Sequence, residues 1–352
     1  MLVSIGILAW NEADGIEKTI ESLLMQSVFN GGSVANQQIE WEIVIVPNGC
    51  TDDTGSVARM ALSEYTSGKN NISYRVVDVE EAGKSNAWNL YVHEFSNIDA
   101  DFLILMDADI EFGNIDTIKN TLAKLIDTPT ADVSVDLPLK SFHKKDKKTI
   151  FESISVKFSG YKFDGPPGIA GSFYCARVAV LRNIWMPKGL SGEDGFLRAM
   201  VITNLFRSEI DFDRVVRARN AEHYYDPETK LKKILRHQLR LIIGTSLNCF
   251  LTWDALFFMT DPEGPGAGVL IKNNIDKDGD WYKKFIENSI QTRGFWVLPR
   301  GLIFSRFKKA KEKSGLSKAI YLFVVSALFV VEMPLYWVAN RKIKSMRAIG
   351  FW

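Results

Sequence analysis

Two carboxylates, Asp107 and Asp109, directly follow the apolar run at residues 102–106. In an extended segment, residues two positions apart point to the same side, so both carboxylates face one spot. Their mutual repulsion calls for a cation, and hard oxygen ligands suit Mg²⁺ or Mn²⁺, with substrate phosphates completing the coordination. The pair therefore predicts a divalent-metal site. The alternative is a solvated strand end that carries two unrelated acidic residues.

A second acidic pair, Glu193-Asp194, stands in the segment SGEDGFL at residues 191–197. A carboxylate here could act as a general base and take a proton from an acceptor hydroxyl. The alternative is a helix N-terminus, where acidic residues interact favourably with the helix macrodipole. The local sequence leaves both interpretations open.

Lys84 belongs to the segment GKSNAWN at residues 83–89, which opens a predicted helix. A lysine at this point could contact a phosphate near the helix N-terminus. A capped helix with an exposed lysine would give the same local sequence. Lys84 is therefore a candidate donor-binding residue that needs support from its surroundings.

Short apolar runs alternate with helical patterns in the first third of the chain. Strands are predicted at residues 3–8, 42–46, 73–79 and 102–106, and helices at residues 14–27, 54–65 and 84–95. This βαβα order with continuously apolar strands predicts a mainly parallel sheet with helices on both faces. Ligands bind such sheets beyond the carboxyl ends of the strands. Residues 9–12, 48–52 and 107–109 are therefore expected to converge on one crevice.

Five elements, taken in order, resemble family 2 glycosyltransferases. They are the Asn11-Glu12 pair after the first strand, NGCTDDT at 48–54, GKSNAWN at 83–89, Asp107-Ala108-Asp109, and Glu193-Asp194 before a helix. Together they span residues 3–205. The resemblance implies an α/β GT-A fold, which is Rossmann-like with a mostly parallel sheet flanked by helices. It also implies an enzyme that transfers one sugar from a nucleotide-sugar, with inversion.

The resemblance further implies roles for single residues. Asp109 and Asp107 would ligate Mn²⁺ or Mg²⁺, and Asp194, with Glu193 beside it, would be the catalytic base. His223 would be a further metal ligand, and the alternative is a histidine without any ligand role. The residues implied in donor binding are Ala9, Asn11, Glu12, Asn48, Asp52, Lys84 and Asp107.

Two departures from the family pattern narrow the function, and two other classes of protein are weighed beside it. Pro47 replaces an aspartate that contacts the base in many relatives, which leaves the donor open between UDP and GDP types. Residues 237–241, HQLRL, lack the Gln-x-x-Arg-Trp motif of processive synthases, which favours a non-processive enzyme. A sugar nucleotidyltransferase would carry a glycine-rich loop where residues 8–12 read LAWNE. A non-catalytic binding or scaffold subunit is the other alternative, and intact Asp107, Asp109 and Asp194 count against it.

The chain is expected to divide into a catalytic domain at 1–225 and a helical region at 226–352. Residues 319–339 contain one charge, Glu332, and are long enough to span a membrane. Basic residues flank them on both sides, at Arg306, Lys308, Lys309, Lys311, Lys313 and Lys318 before, and at Arg341, Lys342, Lys344 and Arg347 after.

Basic flanks on both sides favour a segment that lies at an anionic membrane surface, or enters and returns with Pro334 as its break, over a single span. A packed helical subdomain or a homo-oligomer interface is the alternative. Membrane association would suit a lipid-linked acceptor, although a saccharide acceptor stays open.

The overall composition restricts the remaining classes. The formal net charge of +1 argues against a nucleic-acid-binding protein. Three scattered cysteines without a CxxC pair argue against a disulfide framework or a cysteine zinc site. The first residues lack the basic segment of a signal peptide, so we expect a cytoplasmic protein at the cytoplasmic face of the membrane.

Overall fold

The structure is a computed structural model that describes residues 1–35, 37–144, 165–308, 310 and 314–346. Among the basic flanking residues, Lys309, Lys311, Lys313 and Arg347 lie outside the described residues. The chain forms two compact units. The first comprises residues 1–186, 197–227 and 261–270, and the second comprises residues 187–196, 228–260 and 271–352. The expected boundary at 225/226 lies two residues from the division at 227/228, and two short segments are exchanged across it.

Eight strands in the described part of the chain form one mixed sheet in the first unit. They are β1 Leu2–Ala9, β2 Glu40–Pro47, β3 Ile72–Val76, β4 Phe102–Asp107, β5 Ile110–Phe112, β6 Val133–Lys140, β7 Phe173–Arg177 and β8 Val215–Tyr225. Their order across the sheet is β3-β2-β1-β4-β7-β6-β8-β5. Strands β3, β2, β1 and β4 run parallel, as predicted. Strand β7 is antiparallel to β4 and to β6, while β8 runs parallel to β6.

Two strands of the parallel half, β1 and β2, are as buried as their apolar sequences predict. Strands β1 and β2 are buried along nearly their whole length, because helices cover both faces of the sheet. The strand predicted at 73–79 is shorter, since regular pairing ends at Val76. The amides of Val77 and Val79 still bond to carbonyls of β2, so the chain continues alongside that strand.

The helices in the described residues are α1 Ile16–Leu24, α2 Thr54–Tyr65, α3 Lys84–Leu90, α4 Thr117–Ile126, α5 Val178–Leu181, α6 Glu193–Ile202, α7 Leu231–Leu251, α8 Phe257–Met259, α9 Ala267–Lys277, α10 Trp281–Gln291, α11 Arg300–Ile303, α12 Ser305–Lys308 and α13 Gly315–Lys344. The helix predicted at 84–95 ends as α-helix at Leu90 and continues as one π-helical turn. The α/β class with a helical C-terminal region is confirmed.

The C-terminal helix α13 belongs to the second unit and runs unbroken through Pro334. The break expected at this proline is wrong. A proline inside a helix removes one backbone hydrogen bond. Here side-chain contacts on the inward face of α13 stabilise the helix near the proline. Glu332 pairs with Arg306 at 2.6 Å, and Phe329 stacks on Phe304.

Candidate functional site

Asn48 joins three elements at the carboxyl edge of the parallel strands. Its Nδ2 donates to the carbonyl of Ala9 at the end of β1, at 2.8 Å. Its Oδ1 accepts from the backbone amide of Gly83, just before α3, at 3.1 Å. The next residue, Gly49, has φ +61° and lies so close to Ala82 that an added Cβ would clash. Asn48 therefore fixes how the loops after β1, β2 and β3 meet.

The loop after β1 is held against the loop after β2. Asn11 adopts a left-handed φ of 55°, which asparagine tolerates better than most residues. Its Oδ1 accepts from the Thr51 amide at 2.8 Å. Asp52 Oδ2 accepts from the Ala13 amide, and a hydrogen bond from the Thr54 hydroxyl lowers the pKa of Asp52. The predicted donor-binding residues Asn11 and Asp52 are thus brought together, where they shape the crevice.

Lys84 and Asp107 form an ion pair at the end of β4. The Lys84 Nζ lies 2.6 Å from Asp107 Oδ1, and both side chains are about one-quarter exposed. The Asp107 amide donates to the carbonyl of Ser172 at 3.0 Å. The pair supports the interpretation that Lys84 faces the ligand crevice, because it holds the lysine ammonium group at the end of β4.

Glu12 lies near the carboxylates of β4. Burial, and then the negative charges of Asp109 and Asp107, raise the pKa of Glu12 to about 7. Carboxylates raise one another's pKa when they lie close together without a compensating cation. The strand-end crevice therefore carries concentrated negative charge.

This donor set fits a hard divalent cation. Among the described residues, no group of three or more histidine, cysteine, aspartate or glutamate side chains is gathered as a complete metal site. Mg²⁺ and related ions are usually held by one or two carboxylates, and substrate phosphates supply further ligands. Asp107 and Asp109 meet that requirement, and Glu12 adds to the local negative field.

The structure places His223 in the core, near the same strand end. Its ring is fully buried, with Nδ1 2.8 Å from Asp136 Oδ2 and Nε2 3.0 Å from Ser172 Oγ. To ligate a metal ion, His223 Nε2 would have to give up its hydrogen bond with Ser172 and bind the ion instead. The assignment of His223 as a metal ligand stays a prediction.

Glu193 and Asp194 form the first turn of α6, as predicted. Asp194 Oδ1 accepts from the Gly195 amide at 2.7 Å, a local bond between neighbouring residues of this first turn. Residues 187–196 belong to the second unit, whereas the strand-end crevice belongs to the first. The assignment of Asp194 as the base therefore rests on the sequence resemblance.

Sequence reasoning missed Asp136 and Ser172. Asp136 is an acid within the mainly apolar strand β6, and it is 1% exposed. A buried acid in such a strand is unusual and was the available signal. Ser172 carried no local signal, because its importance comes from its position beside Asp107, just before the antiparallel strand β7.

The fold and the strand-end crevice define a GT-A-type glycosyltransferase. The sequence model described as Glycosyl transferase family 2 matches residues 4–184, which is more than half of the chain. The chain therefore belongs to glycosyl transferase family 2, and the resemblance drawn from its motifs is confirmed.

A solved structure with a similar fold agrees with this assignment. The mannosyltransferase PcManGT from Pyrobaculum calidifontis, in complex with GDP-Man and Mn²⁺, aligns with a TM-score of 0.53 at 15% identity, covering 97% of this chain and 86% of that one. Glucosyl-3-phosphoglycerate synthase from Mycobacterium tuberculosis, in complex with Mn²⁺, UDP and phosphoglyceric acid, aligns at 17% identity with a TM-score of 0.47, covering 70% and 78%. A search of curated proteins finds no match to this sequence.

Proposed function

We propose that this protein transfers a single sugar from a nucleoside-diphosphate sugar to an acceptor hydroxyl, with inversion and with the help of Mn²⁺ or Mg²⁺. The observation that carries the proposal is the meeting of Lys84, Asp107 and the Glu12 and Asp109 carboxylates at one end of the parallel strands. A divalent cation would balance these charges, and with Lys84 it would then attract the negatively charged diphosphate. A non-catalytic subunit would not need this concentrated negative charge.

The donor is proposed to lie along the loops after β1, β2 and β4. Asn11, Asn48 and Asp52 hold the loops after β1 and β2, so they would set the position of the nucleoside. The carbonyl of Ala9 already accepts two hydrogen bonds from Asn48, so its part is to fix the loop rather than to bind base or ribose. Lys84 would offset the negative charge of the diphosphate.

The reaction proposed is a single displacement. The acceptor oxygen bonds to the anomeric carbon while the bond from that carbon to the diphosphate oxygen breaks. Asp194 takes the proton from the acceptor hydroxyl. When bound, the divalent cation stabilises the charge that develops on the leaving diphosphate. Asp107 and Asp109 would hold that cation.

The related structures support a nucleotide-sugar donor without fixing its base. The Pyrobaculum calidifontis enzyme was solved with GDP-Man and the Mycobacterium tuberculosis enzyme with UDP. A thermal-shift screen of UDP-, GDP- and dTDP-sugars with and without Mn²⁺ tests the proposal. We expect one nucleotide class to raise the melting temperature in a Mn²⁺-dependent way. No shift with any of them would contradict the proposal.

We also propose that the second unit attaches to an anionic membrane surface through α13. By length and composition this helix could cross a membrane. Its inward face carries the one acidic residue of the segment, Glu332, neutralised by Arg306. The outward face is apolar and open, with Phe323 77% and Val330 70% exposed. Its basic ends, which include Lys318 and Arg341, complement anionic lipid headgroups.

Vesicle flotation tests the membrane proposal. We expect the full chain to float with anionic vesicles, and Val330→Glu to lose most of that binding, because a charge at the centre of the hydrocarbon layer costs about 2.5–3.5 kcal/mol. Met60→Glu on α2, where the methionine is similarly exposed, is the matched control and should float normally. A full chain that stays unbound, or that buries α13 in a stable dimer, would contradict the proposal. Binding would favour a lipid-linked acceptor over a soluble saccharide.

A further inference from the structure

Three side chains of the first unit form a hydrogen-bonded series that has no assigned role. Asp136 Oδ2 lies 2.8 Å from His223 Nδ1, and His223 Nε2 lies 3.0 Å from Ser172 Oγ. Asp136 is 1% exposed and His223 is fully buried. The series connects β6, β8 and the residue that precedes β7.

Stability alone does not explain why Asp136 is buried. A carboxylate taken out of water loses hydration, and one hydrogen-bonded partner seldom offsets that loss fully. Within the part of the chain that the structure describes, Asp136 Oδ1 has no hydrogen-bond partner. Buried polar atoms without partners are rare, and they often mark functional positions. The position of Asp136 therefore calls for a functional explanation.

The backbone of β8 aims His223 at this acid. The register between β6 and β8 passes from Val135 opposite Arg217 to Leu137 opposite Glu222, so residues 218–221 bulge out beside Asp136. Bulges redirect side chains and are frequent next to active sites. The far side of the bulge is fixed, because the Glu222 carbonyl accepts from the Gly113 amide at 2.9 Å. The His223 ring is thereby held in one orientation.

The series ends beside the proposed metal site. The Ser172 carbonyl accepts from the Asp107 amide at 3.0 Å, which puts Ser172 directly alongside the first carboxylate of the Asp107-Ala108-Asp109 triplet. The carbonyl of the preceding residue, Gly171, lies 3.5 Å from Lys84 Nζ. His223 Nε2 is thus one serine side chain away from the end of β4.

We propose that Asp136 is a positioning residue that fixes His223 as the neutral Nδ1–H tautomer and presents the lone pair of Nε2 toward Ser172 and the metal-binding end of β4. Where Asp136 Oδ2 accepts the hydrogen bond from the ring, the one proton of a neutral imidazole lies on Nδ1. The Ser172 hydroxyl then donates to Nε2. The same lone pair is the group that a cation at Asp107 and Asp109 would recruit.

The consequence for metal binding rests on the proposed function. Carboxylates that orient a ligating histidine typically contribute about 10–100-fold to metal affinity. Asp136 would contribute in this way without touching the ion or the sugar. The tautomer itself is a property of the metal-free protein and can be measured separately.

The first measurement is long-range ¹H–¹⁵N correlation NMR of the metal-free full chain, which has four histidines. His223→Gln assigns the signals. We expect a protonated Nδ1 and an unprotonated, hydrogen-bonded Nε2 for His223 at neutral pH. Asp136→Asn should move the population toward the Nε2–H form, since its amide can donate to Nδ1. The matched control is Asp132→Asn. In the wild type the Asp132 carboxylate pairs with Arg214 and not with His223, so this change should leave the tautomer of His223 unchanged.

The second measurement is Mn²⁺ affinity in the presence of nucleoside diphosphate. Asp136→Asn should weaken it about 10–100-fold, with circular dichroism unchanged and Asp132→Asn unaffected. A wild-type His223 protonated on Nε2, or an Asp136→Asn variant with unaltered tautomer and affinity, would overturn the proposal.

Two further outcomes keep the test decisive. A wild-type chain that binds neither Mn²⁺ nor nucleotide overturns the proposed function and the metal-affinity consequence, whereas the tautomer still decides the positioning role. If Asp136→Asn does not fold, Ser172→Ala replaces it. That variant should shift the Nε2 signal and keep the Nδ1–H form, and an unmoved Nε2 signal would count against the series.

Discussion

The two halves of the sheet differ in how far their charged side chains are exposed to solvent. In the parallel half, Lys84, Asp107 and Asp109 lie at strand ends, partly open to solvent, where a ligand can reach them. In the other half, formed by β7, β6, β8 and β5, Asp136 and His223 are buried in the core and contact each other rather than solvent. The first arrangement suits binding a charged ligand, and the second suits holding a side chain in one orientation. The predictions below test this division, beginning with the largest expected effect.

Removing the exposed carboxylate should have the largest effect. We expect Asp109→Ala to lower turnover by at least about 10³-fold and to abolish metal-dependent nucleotide binding, because the charge of the leaving diphosphate would lose its stabilisation. Turnover assays and calorimetry with Mn²⁺ or chelator measure both effects. Asp116→Ala, at the N-terminus of α4, is a control with an equivalent change in charge. Nucleotide-sugar affinity that is insensitive to both Asp109→Ala and chelator would rule out the metal assignment.

Changing the proposed base should separate binding from chemistry. We expect Asp194→Asn to bind donor normally and to lose about 10²–10⁴-fold in turnover, which is the usual contribution of general base catalysis. Calorimetry gives donor affinity, and single-turnover assays give the transfer rate. Glu193→Gln, one residue earlier in the same helical turn, should have a smaller effect. Near-normal transfer by Asp194→Asn would exclude it as the base.

The parallel half could be predicted because its signals are local. Apolar runs gave β1, β2 and β4, and polar residues just after each run gave Asn11, Asn48 and Asp107. Parallel strands bring such residues to one edge whatever the intervening helices are. The sequence could not reveal that Asn11 accepts a hydrogen bond from the loop after β2, or that Asp52 accepts one from the loop after β1. Those bonds depend on the detailed conformation of the two loops.

The half of the sheet formed by β7, β6, β8 and β5 could not be predicted, for a physical reason. His223 meets Asp136 only because β8 pairs parallel with β6 across a bulge, and Ser172 joins them only because β7 lies between β4 and β6. These contacts link positions 51 and 87 residues apart in the chain. The C-terminal helix shows a related limit. Pro334 predicted a break, but side-chain contacts such as Arg306 with Glu332 hold the helix through it.

The smallest predicted effect is a pH dependence that belongs to the parallel half. The pKa of Glu12 is raised to about 7 by burial and by Asp109 and Asp107, so the folded protein holds this proton more tightly than the unfolded chain. A raised carboxyl pKa stabilises the fold below about pH 4.5, and that contribution is lost as the pH rises through about 7. Metal-free wild type should therefore lose stability relative to Glu12→Gln between pH 5 and pH 8, by about 1–2 kcal/mol once solvent screening is allowed for.

Chemical denaturation of both proteins across this pH range measures that difference. Mn²⁺ should reduce it, because a cation among the carboxylates offsets their repulsion of the ionised Glu12. Glu17→Gln, on the exposed side of α1, is the matched control, and its difference from wild type should stay flat with pH. If the difference in unfolding free energy between wild type and Glu12→Gln also stays constant with pH and does not respond to Mn²⁺, then Glu12 does not interact electrostatically with Asp107 and Asp109. The proposal that the parallel half of the sheet gathers interacting carboxylates at its strand ends would then be wrong. Its contrast with the buried Asp136–His223 pair would be lost.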